Sequence, residues 1–278
     1  MNCLTFIPVG GLGNRMRAIA SAVTLAQATR SELRIVWFRD WAMQAPFQAL
    51  FQPLSQASVE LREATRADHL MLDRPRPKNL FLPRLYQKCR FRASLYERSI
   101  TPLCKEGFDF AAWVKQHERV YLASYTHFQN YAHTEIARLF VPQVELLRQI
   151  DERSASFATT RTIGVHIRRT DNVLATAQSP LELFYPKLDA EINAGGRTLF
   201  YLATDSEEVK QALKQRYGAE RLMTSAHQAD RTSLAGVQEG LVELYTLART
   251  QKIFGSYGSS FSEIAAQVGQ VPLEVVKW

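Results

Sequence analysis

The feature that most constrains the fold is a regular alternation of short apolar runs and longer helical stretches in residues 160–278. Five runs predict strands, and the stretches between them predict helices. The predicted strands are 162–167, 198–203, 221–225, 252–256 and 273–277, and the predicted helices are about 180–193, 206–217 and 232–250. A polar loop is expected after the first strand. Such alternation is typical of a parallel sheet with helices on both faces.

The N-terminal half shows the same alternation of strands and helices, but less regularly. It begins with an apolar strand at 4–9 and a turn at Gly10–Asn14. A helix at 15–30 follows, and then a β-branched, aromatic strand at 33–38. A later strand is predicted at 120–125, and then a helix at 134–150 that Pro142 interrupts. Two α/β domains, 1–150 and 151–278, are more economical than one sheet of ten strands.

Charge and composition narrow the class of protein. The chain carries a net charge of +7 with a pI near 9.4, which favours anionic partners such as nucleotide phosphates, lipids or nucleic acid. No apolar run reaches the roughly 18 residues of a membrane span, so we expect a cytoplasmic protein. The three cysteines, Cys3, Cys89 and Cys104, lack the spacing of a metal or redox site, and we expect them to be reduced.

A basic, proline-bearing segment, residues 74–98, interrupts the N-terminal half. It is either a solvated helical face or a surface for an anionic acceptor or a membrane. If the second alternative holds, the protein would contact the inner membrane peripherally through this segment. Nucleic-acid binding is not expected, because aromatic residues are few here and no known binding module is visible.

Ligands of parallel sheets lie at the carboxyl ends of the strands, so the residues that follow each strand are the first candidates for a site. The turn Gly10–Asn14 follows the first strand and opens a helix. Its glycines either let backbone N–H groups approach a phosphate or serve turn geometry alone.

A second candidate is the run His166–Asp171, which follows the strand 162–167. Alternation along an extended chain puts His166 and Arg168 on one side and Arg169 on the other. An arginine here can donate two hydrogen bonds to a phosphate. The alternative is a surface ion pair between Arg169 and Asp171, which stabilises little.

Two more strand ends are polar. Asp205 either caps the next helix or accepts hydrogen bonds from a base or ribose. The run 255–262, rich in glycine and serine, suits either a pyrophosphate or a helix cap. There is no GxSxG motif of a hydrolase, and neither a DxD pair nor histidines at ligand spacing predict a metal site. The reaction is therefore expected to need no metal ion.

Three segments of the chain resemble, in their order along the sequence, the motif regions of the α1,6-fucosyltransferases. They are HIRRTDN (166–172), YLATD (201–205) and the stretch from Glu243 through Gly258-Ser259-Ser260. The opening GGLGNRM is similar to a turn of the wider superfamily of α1,2- and protein O-fucosyltransferases. The resemblance covers this turn and most of 160–265. It implies an α/β fold of two facing Rossmann-like domains, the GT-B type, and inverting transfer of fucose from GDP-fucose to a glycan or glycolipid. No cofactor is implied beyond this donor substrate.

The resemblance also assigns residues. Arg168 would bind the β-phosphate and stabilise departing GDP, Asp171 would support the loop, and Asn14 would contact the donor from the N-terminal domain; these three are the predicted catalytic residues. The predicted donor-binding residues are Gly11, Gly13, Asn14, Arg15, His166, Arg168, Arg169, Asp205, Glu243, Ser259 and Ser260.

The chain departs from the α1,6 branch at Asn172, where that branch has lysine, and at Thr176, where it has glutamate. The resemblance therefore supports fucosyl transfer more than one linkage. Asp40 and Glu182 are candidates for the general base. The alternatives are a transferase for another nucleotide sugar and a non-catalytic nucleotide- or carbohydrate-binding protein on the same fold.

Overall fold

The computed structural model describes residues 2–75, 81–170, 173–226 and 229–278. The chain divides into two compact units, Met1–Val141 and Pro142–Trp278. The sequence boundary between 150 and 151 falls inside a helix, Val144–Ser154, that belongs to the second unit. This helix buries Leu146 and Ile150 and packs against the helix Leu234–Leu247 of the same unit.

The first unit contains a parallel sheet in the order β3-β2-β1-β5-β4. Its strands are β1 (Cys3–Pro8), β2 (Glu32–Trp37), β3 (Val59–Glu63), β4 (Ala93–Leu95) and β5 (Arg119–Ser124). Its helices are α1 (Leu12–Thr29), α2 (Arg66–Met71), α3 (Phe81–Arg90), α4 (Glu97–Lys105), α5 (Phe110–Lys115) and α6 (Thr134–Leu139), with a 3-10 turn at Phe47–Ala49.

The second unit contains another parallel sheet, in the order β10-β9-β6-β7-β8. Its strands are β6 (Arg161–Ile167), β7 (Thr198–Thr204), β8 (Leu222–Thr224), β9 (Ile253–Ser256) and β10 (Leu273–Val276). Its helices are α7 (Val144–Ser154), α8 (Val173–Gln178), α9 (Phe184–Asn193), α10 (Glu207–Tyr217), α11 (Leu234–Leu247) and α12 (Ser260–Gly269). Two 3-10 turns, Ala155–Ala158 and Leu181–Leu183, complete it.

The central strands of both sheets, β1 and β5 in the first and β6 and β7 in the second, are mostly buried, as is typical of parallel sheets. The apolar side chains of β6 and β7, among them Val165 and Leu202, form one core with Phe184 of α9 and Leu213 of α10. Helix ends follow local chemistry: Ser206 caps α10 by accepting the Val209 N–H at 3.3 Å. The predicted two-domain Rossmann-like α/β fold is confirmed.

Two details differ from the sequence prediction. Residues after β6 were predicted to be a polar loop, but Val173–Gln178 form α8. The predicted helix at 180–193 begins later, at Phe184, after a 3-10 turn that starts behind Pro180. Proline fixes its own φ and disfavours helix at the residue before it, which separates the two helices.

The basic segment 74–98 contains both buried and exposed arginines. Its residues 76–80 lie outside the described part of the chain. It contributes α3, β4 and the start of α4. Arg74 is buried and contacts Asp40 at 3.3 Å and Glu97 at 3.4 Å, so it belongs to the interior of the unit. Arg84 and Arg98 are exposed. Membrane contact through this segment stays a prediction.

Candidate functional site

The sequence motifs of the second unit meet at the carboxyl edge of its sheet. In the strand register His166 lies beside Ala203 of β7 and beside Gly255 of β9. The residues that follow these three strands are therefore neighbours, as the parallel arrangement predicted. We call the set Arg168–Thr170, Asp205 and Tyr257–Ser260 the carboxyl-edge cluster. Asp171 and Asn172 lie outside the described residues.

Asp205 organises this cluster. One carboxylate oxygen accepts the Arg169 N–H at 2.8 Å, and the other accepts the Thr170 N–H at 3.2 Å and the Thr170 hydroxyl at 2.7 Å. Burial raises the pKa of Asp205, but these hydrogen bonds outweigh it and lower the pKa below its usual value. The cap interpretation of Asp205 is wrong, because the cap of α10 is Ser206. Its carboxylate instead fixes the loop after β6.

Arg168 and Arg169 contact different parts of the second unit. The Arg169 guanidinium donates to the Ser179 carbonyl at 3.0 Å, and burial lowers its pKa. The Arg168 N–H donates to the Ser256 hydroxyl at 3.1 Å, which ties the loop to β9. Burial is the largest influence on the pKa of both His166 and Asp205, and the positive charge of Arg168 has a smaller, lowering effect on each. The positive charge of Arg168 therefore lies near His166 and Asp205.

His166 is a buried, neutral ring. Burial lowers its pKa to about 3, and the charge of Arg168 acts in the same direction. The ring stacks on Phe261 of α12 with centroids 4.8 Å apart and an angle of 23°. Its Nδ1 has no hydrogen-bond partner among the described residues. A neutral imidazole at working pH supports the strand end sterically and is unsuited to exchange protons there.

The turn between β9 and α12 brings a helix N-terminus to the same edge. Ser259 is the N-cap residue of α12, yet its side chain makes no capping hydrogen bond. The cap interpretation of this serine run is therefore not realised through the Ser259 hydroxyl. Gly255 is required by close approach, since a Cβ there would lie 2.6 Å from the Ser262 hydroxyl oxygen. Ser260 is partly exposed in the first turn.

Glu243 lies on α11 behind this edge. Burial raises its pKa to about 8, and the negative charge of Glu239 adds to the effect. Glu239 itself forms an ion pair with Arg153, with the closest atoms 2.5 Å apart. Glu243 is 3% exposed, so at neutral pH it is largely a protonated, buried carboxyl group.

In the first unit, the predicted glycine turn lies between β1 and α1. Gly10 has a φ of +85°, a conformation that favours glycine. Gly11 is the N-cap of α1, which has no side-chain cap and no acidic residue in its first turn. Gly13 is buried, and the Asn14 side-chain oxygen accepts from Arg17 at 2.8 Å. The first N–H groups of α1 point out of its end without an intrahelical partner.

Arg15 is completely buried, and each of its guanidinium nitrogens has a protein acceptor. The acceptors are the Gly10 carbonyl at 2.7 Å, the Phe38 carbonyl at 2.6 Å and the Asp40 carboxylate at 3.1 Å. The guanidinium also lies over the Trp37 ring, 4.6 Å from its centroid. Burial lowers the pKa of Arg15 to about 10, and the charge of Asp40 opposes this effect. Arg15 thus fastens the glycine turn to the end of β2.

Two residues that shape the site escaped the sequence analysis. Ser179 is fully buried; its hydroxyl donates to Val276 and accepts the Tyr257 N–H at 2.8 Å, while its carbonyl accepts from Arg169. It joins the loop after β6 to the turn after β9. Phe261 supplies the stacking partner of His166. Ser179 stands before a proline in no recognisable motif, whereas Phe261 lies inside the serine-rich run and could have been singled out.

The described residues include neither a metal-binding group nor a membrane-spanning helix. Within residues 2–75, 81–170, 173–226 and 229–278, no group of three histidine, cysteine or acidic side chains could hold a metal ion. No helix in the described part of the chain has the length and apolar character to cross a bilayer.

No protein-family model and no curated protein matches the sequence. Solved structures match it along nearly its whole length. A NodZ α1,6-fucosyltransferase soaked with GDP-fucose is 20% identical, with a TM-score of 0.67 over 98% of this chain and 94% of that one. Fucosyltransferase NodZ from Bradyrhizobium is 19% identical, with a TM-score of 0.67 over 95% and 91%.

Two more distant structures show the same fold. An Arabidopsis thaliana FUT1 mutant in complex with GDP is 13% identical, with a TM-score of 0.62 over 99% of this chain and 70% of that one. POFUT1 in complex with GDP is 12% identical, with a TM-score of 0.57 over 99% and 98%. The resemblance inferred from the motifs is thus matched by structure, and the chain has the two-domain fold of these fucosyltransferase structures.

Proposed function

We propose that the chain is a glycosyltransferase that moves fucose from GDP-fucose to a hydroxyl group of a glycan or glycolipid, with inversion and without a metal ion. The observation that carries the proposal is the carboxyl-edge cluster, in which Arg168, the loop held by Asp205 and the N-terminus of α12 follow three adjacent strands. The neighbouring structures of the same fold include one soaked with GDP-fucose and others holding GDP.

The cluster suits a nucleoside diphosphate. A guanidinium can donate two parallel hydrogen bonds to phosphate oxygens, and the first N–H groups of a helix favour an anion. Arg168 supplies the first element, and α12 with Ser259, whose hydroxyl makes no capping hydrogen bond, supplies the second. Asp205 would fix the loop that presents Arg168, and Ser260 would add a further donor.

The same groups suit the reaction. As the acceptor oxygen bonds to the anomeric carbon, the bond to the diphosphate oxygen breaks and its electron pair remains on GDP. Negative charge therefore grows on the β-phosphate in the transition state, so a fixed positive charge such as Arg168 accelerates departure. Attack from the face opposite the leaving group inverts the configuration. Transfer at an unchanged rate in the presence of a chelator is the expected sign of metal independence.

In the first unit, we propose that Gly11, Gly13 and Asn14 offer the free N–H groups of α1 and an amide to the donor. Arg15 acts indirectly, because its nitrogens already contact Gly10, Phe38 and Asp40. Asp40 is held by two arginines, whereas Glu182 is exposed on the 3-10 turn before α9. Glu182→Gln is therefore the first variant with which to test the general base.

The decisive experiment measures GDP release from GDP-fucose over a panel of glycan acceptors. Arg168→Ala is expected to lower kcat about 10²–10³-fold, the usual effect of removing one transition-state donor. Arg197→Ala is the matched control, because Arg197 is exposed at the amino end of β7, away from the cluster. Turnover within a few-fold of wild type in Arg168→Ala would defeat the proposal.

Donor specificity is tested separately. Ligand-induced rises in melting temperature should be larger with GDP and GDP-fucose than with UDP-sugars, since at equal concentration a ligand of lower Kd stabilises the folded state more. A rise with GDP-fucose but no turnover on any acceptor would indicate a binding protein. A larger rise with another nucleotide sugar would reassign the donor.

A further inference from the structure

A second cationic site lies in the first unit, on the face of the sheet that α2 and α3 cover. A cavity of about 300 Å³ opens between the sheet and the helices α2 and α3. Four arginines line it, Arg34, Arg62, Arg90 and Arg119, and we call it the arginine cavity. An adjoining space of about 520 Å³ shares three of them, Arg34, Arg90 and Arg119, and Glu118 also lines it.

The arginine cavity is distinct from the glycine turn. Cys3 and Arg119 are the first residues of β1 and β5, and they are partners in the strand register. The glycine turn follows the last residue of β1, Pro8. At about 3.3 Å per residue, the six residues of β1 separate the two ends by about 16 Å. The cavity therefore begins at the amino-terminal ends of β1 and β5, and Val36 and Arg62 extend its lining along β2 and β3.

Two of the four arginines are already paired. Arg62 makes two hydrogen bonds to Asp68, at 2.6 and 2.9 Å, which satisfy the charge of both groups. Arg34 lies at the rim, half exposed, within 3.4 Å of Glu32 and 3.8 Å of Glu60. Exposed pairs of this kind stabilise little and exchange readily.

The other two arginines have no carboxylate within ion-pair distance among the described residues. Arg119 Nε is buried without a hydrogen-bond partner in that part of the chain, and Arg90 shares both spaces with it. Burial raises the pKa of the Cys3 thiol, so this neighbour adds no negative charge at neutral pH. Cations held together in a partly enclosed site are costly unless an anion compensates them.

The rest of the wall is mixed: Thr5 and Asp68 are polar, and the other part is apolar. Val36, Met71, Tyr86 and Phe91 line the arginine cavity together with the guanidinium groups. The cavity volume is about ten times the share of one molecule in liquid water. There is room for an oxyanion and for a further group of atoms beside it. We infer that the arginine cavity binds a small organic phosphate, with its phosphoryl group at Arg90 and Arg119 and its organic group against Tyr86 and Phe91.

The inference is tested by calorimetric titration of the full chain at constant ionic strength. The probes are phenyl phosphate, inorganic phosphate and phenol, with chloride as the background anion. Phenyl phosphate should bind more tightly than inorganic phosphate, and phenol should not bind measurably. Arg119→Gln and Arg90→Gln should each weaken phenyl phosphate at least about tenfold, because a hydrogen bond to a charged group is lost.

Two controls separate this site from the proposed donor site. Arg98→Gln removes an exposed arginine outside the cavity and should leave the affinity unchanged. Arg168→Ala should also leave it unchanged. Loss of phenyl phosphate binding in Arg168→Ala with retention in Arg119→Gln would move the anion to the carboxyl-edge cluster and overturn the inference, while leaving the proposed function intact.

Two further outcomes would also overturn it. One is equal affinity for phosphate and phenyl phosphate, which would remove the role of the apolar wall. The other is no heat beyond the chloride background. Circular dichroism verifies that each variant is folded; if Arg119→Gln is not, Arg90→Gln decides the question.

Discussion

Arg15 offers the sharpest test of how the first unit supports its glycine turn. Replacing it in Arg15→Met removes a buried cation and keeps a long apolar side chain over Trp37. The Gly10 and Phe38 carbonyls lose their donors, and Asp40 keeps its contacts with Arg74 and the Ala42 N–H. Because Arg15 is completely buried, solvent does not reach these groups as it reaches an exposed arginine.

The expected cost is large. A buried polar group left without a partner costs about 1–3 kcal/mol, and removing one partner of a buried ion pair costs about 3–5 kcal/mol. These terms overlap, and the methionine recovers part of the packing, so we expect the first unit to lose about 4 kcal/mol of stability. Since 1.4 kcal/mol is a factor of ten, this corresponds to nearly a thousandfold more frequent opening.

The assay is native-state hydrogen exchange followed by mass spectrometry, because a chain of two units need not unfold in one step. Peptides from β1, α1 and β2 should exchange nearly a thousandfold faster in Arg15→Met, whereas peptides from β6 and β7 should not change. Arg98→Met, an exposed arginine of the same unit, is the matched control. Double replacement with Asp40→Asn should cost less than the sum of the single changes, because the two side chains share one interaction.

The contrary result is informative. If Arg15→Met keeps wild-type protection in α1 and loses only affinity for GDP, then the guanidinium contacts the donor and our positioning role is refuted. Arg15→Lys separates charge from geometry: an ammonium group keeps the charge but cannot reach three acceptors in different directions. It should therefore destabilise the first unit nearly as much as methionine.

Three other predictions concern the second unit. Asp205→Asn keeps the size of the side chain but removes the charged acceptor of the loop after β6, so GDP should bind about tenfold more weakly by calorimetry while urea unfolding changes little. Glu243→Gln tests a pKa near 8: between about pH 4.5 and 8 the unfolded chain releases this proton and the folded chain retains it, so wild-type stability falls as pH rises. The variant should lack that fall and gain relative stability towards pH 8, by about 5 kcal/mol at most, in urea unfolding at pH 5 and pH 8. Gly255→Ala places a Cβ 2.6 Å from a hydroxyl oxygen of α12 and should cost about 1–3 kcal/mol, seen as a lower melting temperature; an unchanged value would show that α12 shifts freely.

The sequence predicted the carboxyl-edge cluster well because parallel strands leave little freedom. Once TIGVHI, TLFYLA and KIFGS are strands of one sheet, the residues after them must meet at one edge. In the structure His166 and Arg169 contact different segments, Phe261 and Ser179. Tertiary contacts between distant segments were beyond such reasoning, and Ser179 joining Arg169 to Tyr257 is an example.

The N-terminal half was harder for a physical reason. β3 (Val59–Glu63) has the sequence VELRE, in which no residue is fully buried, and β4 (Ala93–Leu95) is three residues long. Edge strands of this kind lack the continuous apolar run that reveals a central strand. The burial of Arg74 was hidden as well, because its partners Asp40 and Glu97 stand 34 and 23 residues away.

The role of an arginine in this chain depends on how many hydrogen-bond acceptors the fold places around it. The sequence does not show that number. Arg15 has three protein acceptors, so its charge is committed to the turn. Arg119 has a buried Nε with none among the described residues, which makes it the better candidate to hold an external anion. The two cases predict opposite signatures: loss of Arg15 should lower stability with or without ligand, whereas loss of Arg119 should mainly remove the stabilisation that a bound phosphate adds. Comparing each variant with and without phenyl phosphate therefore tells a supporting arginine from a binding one.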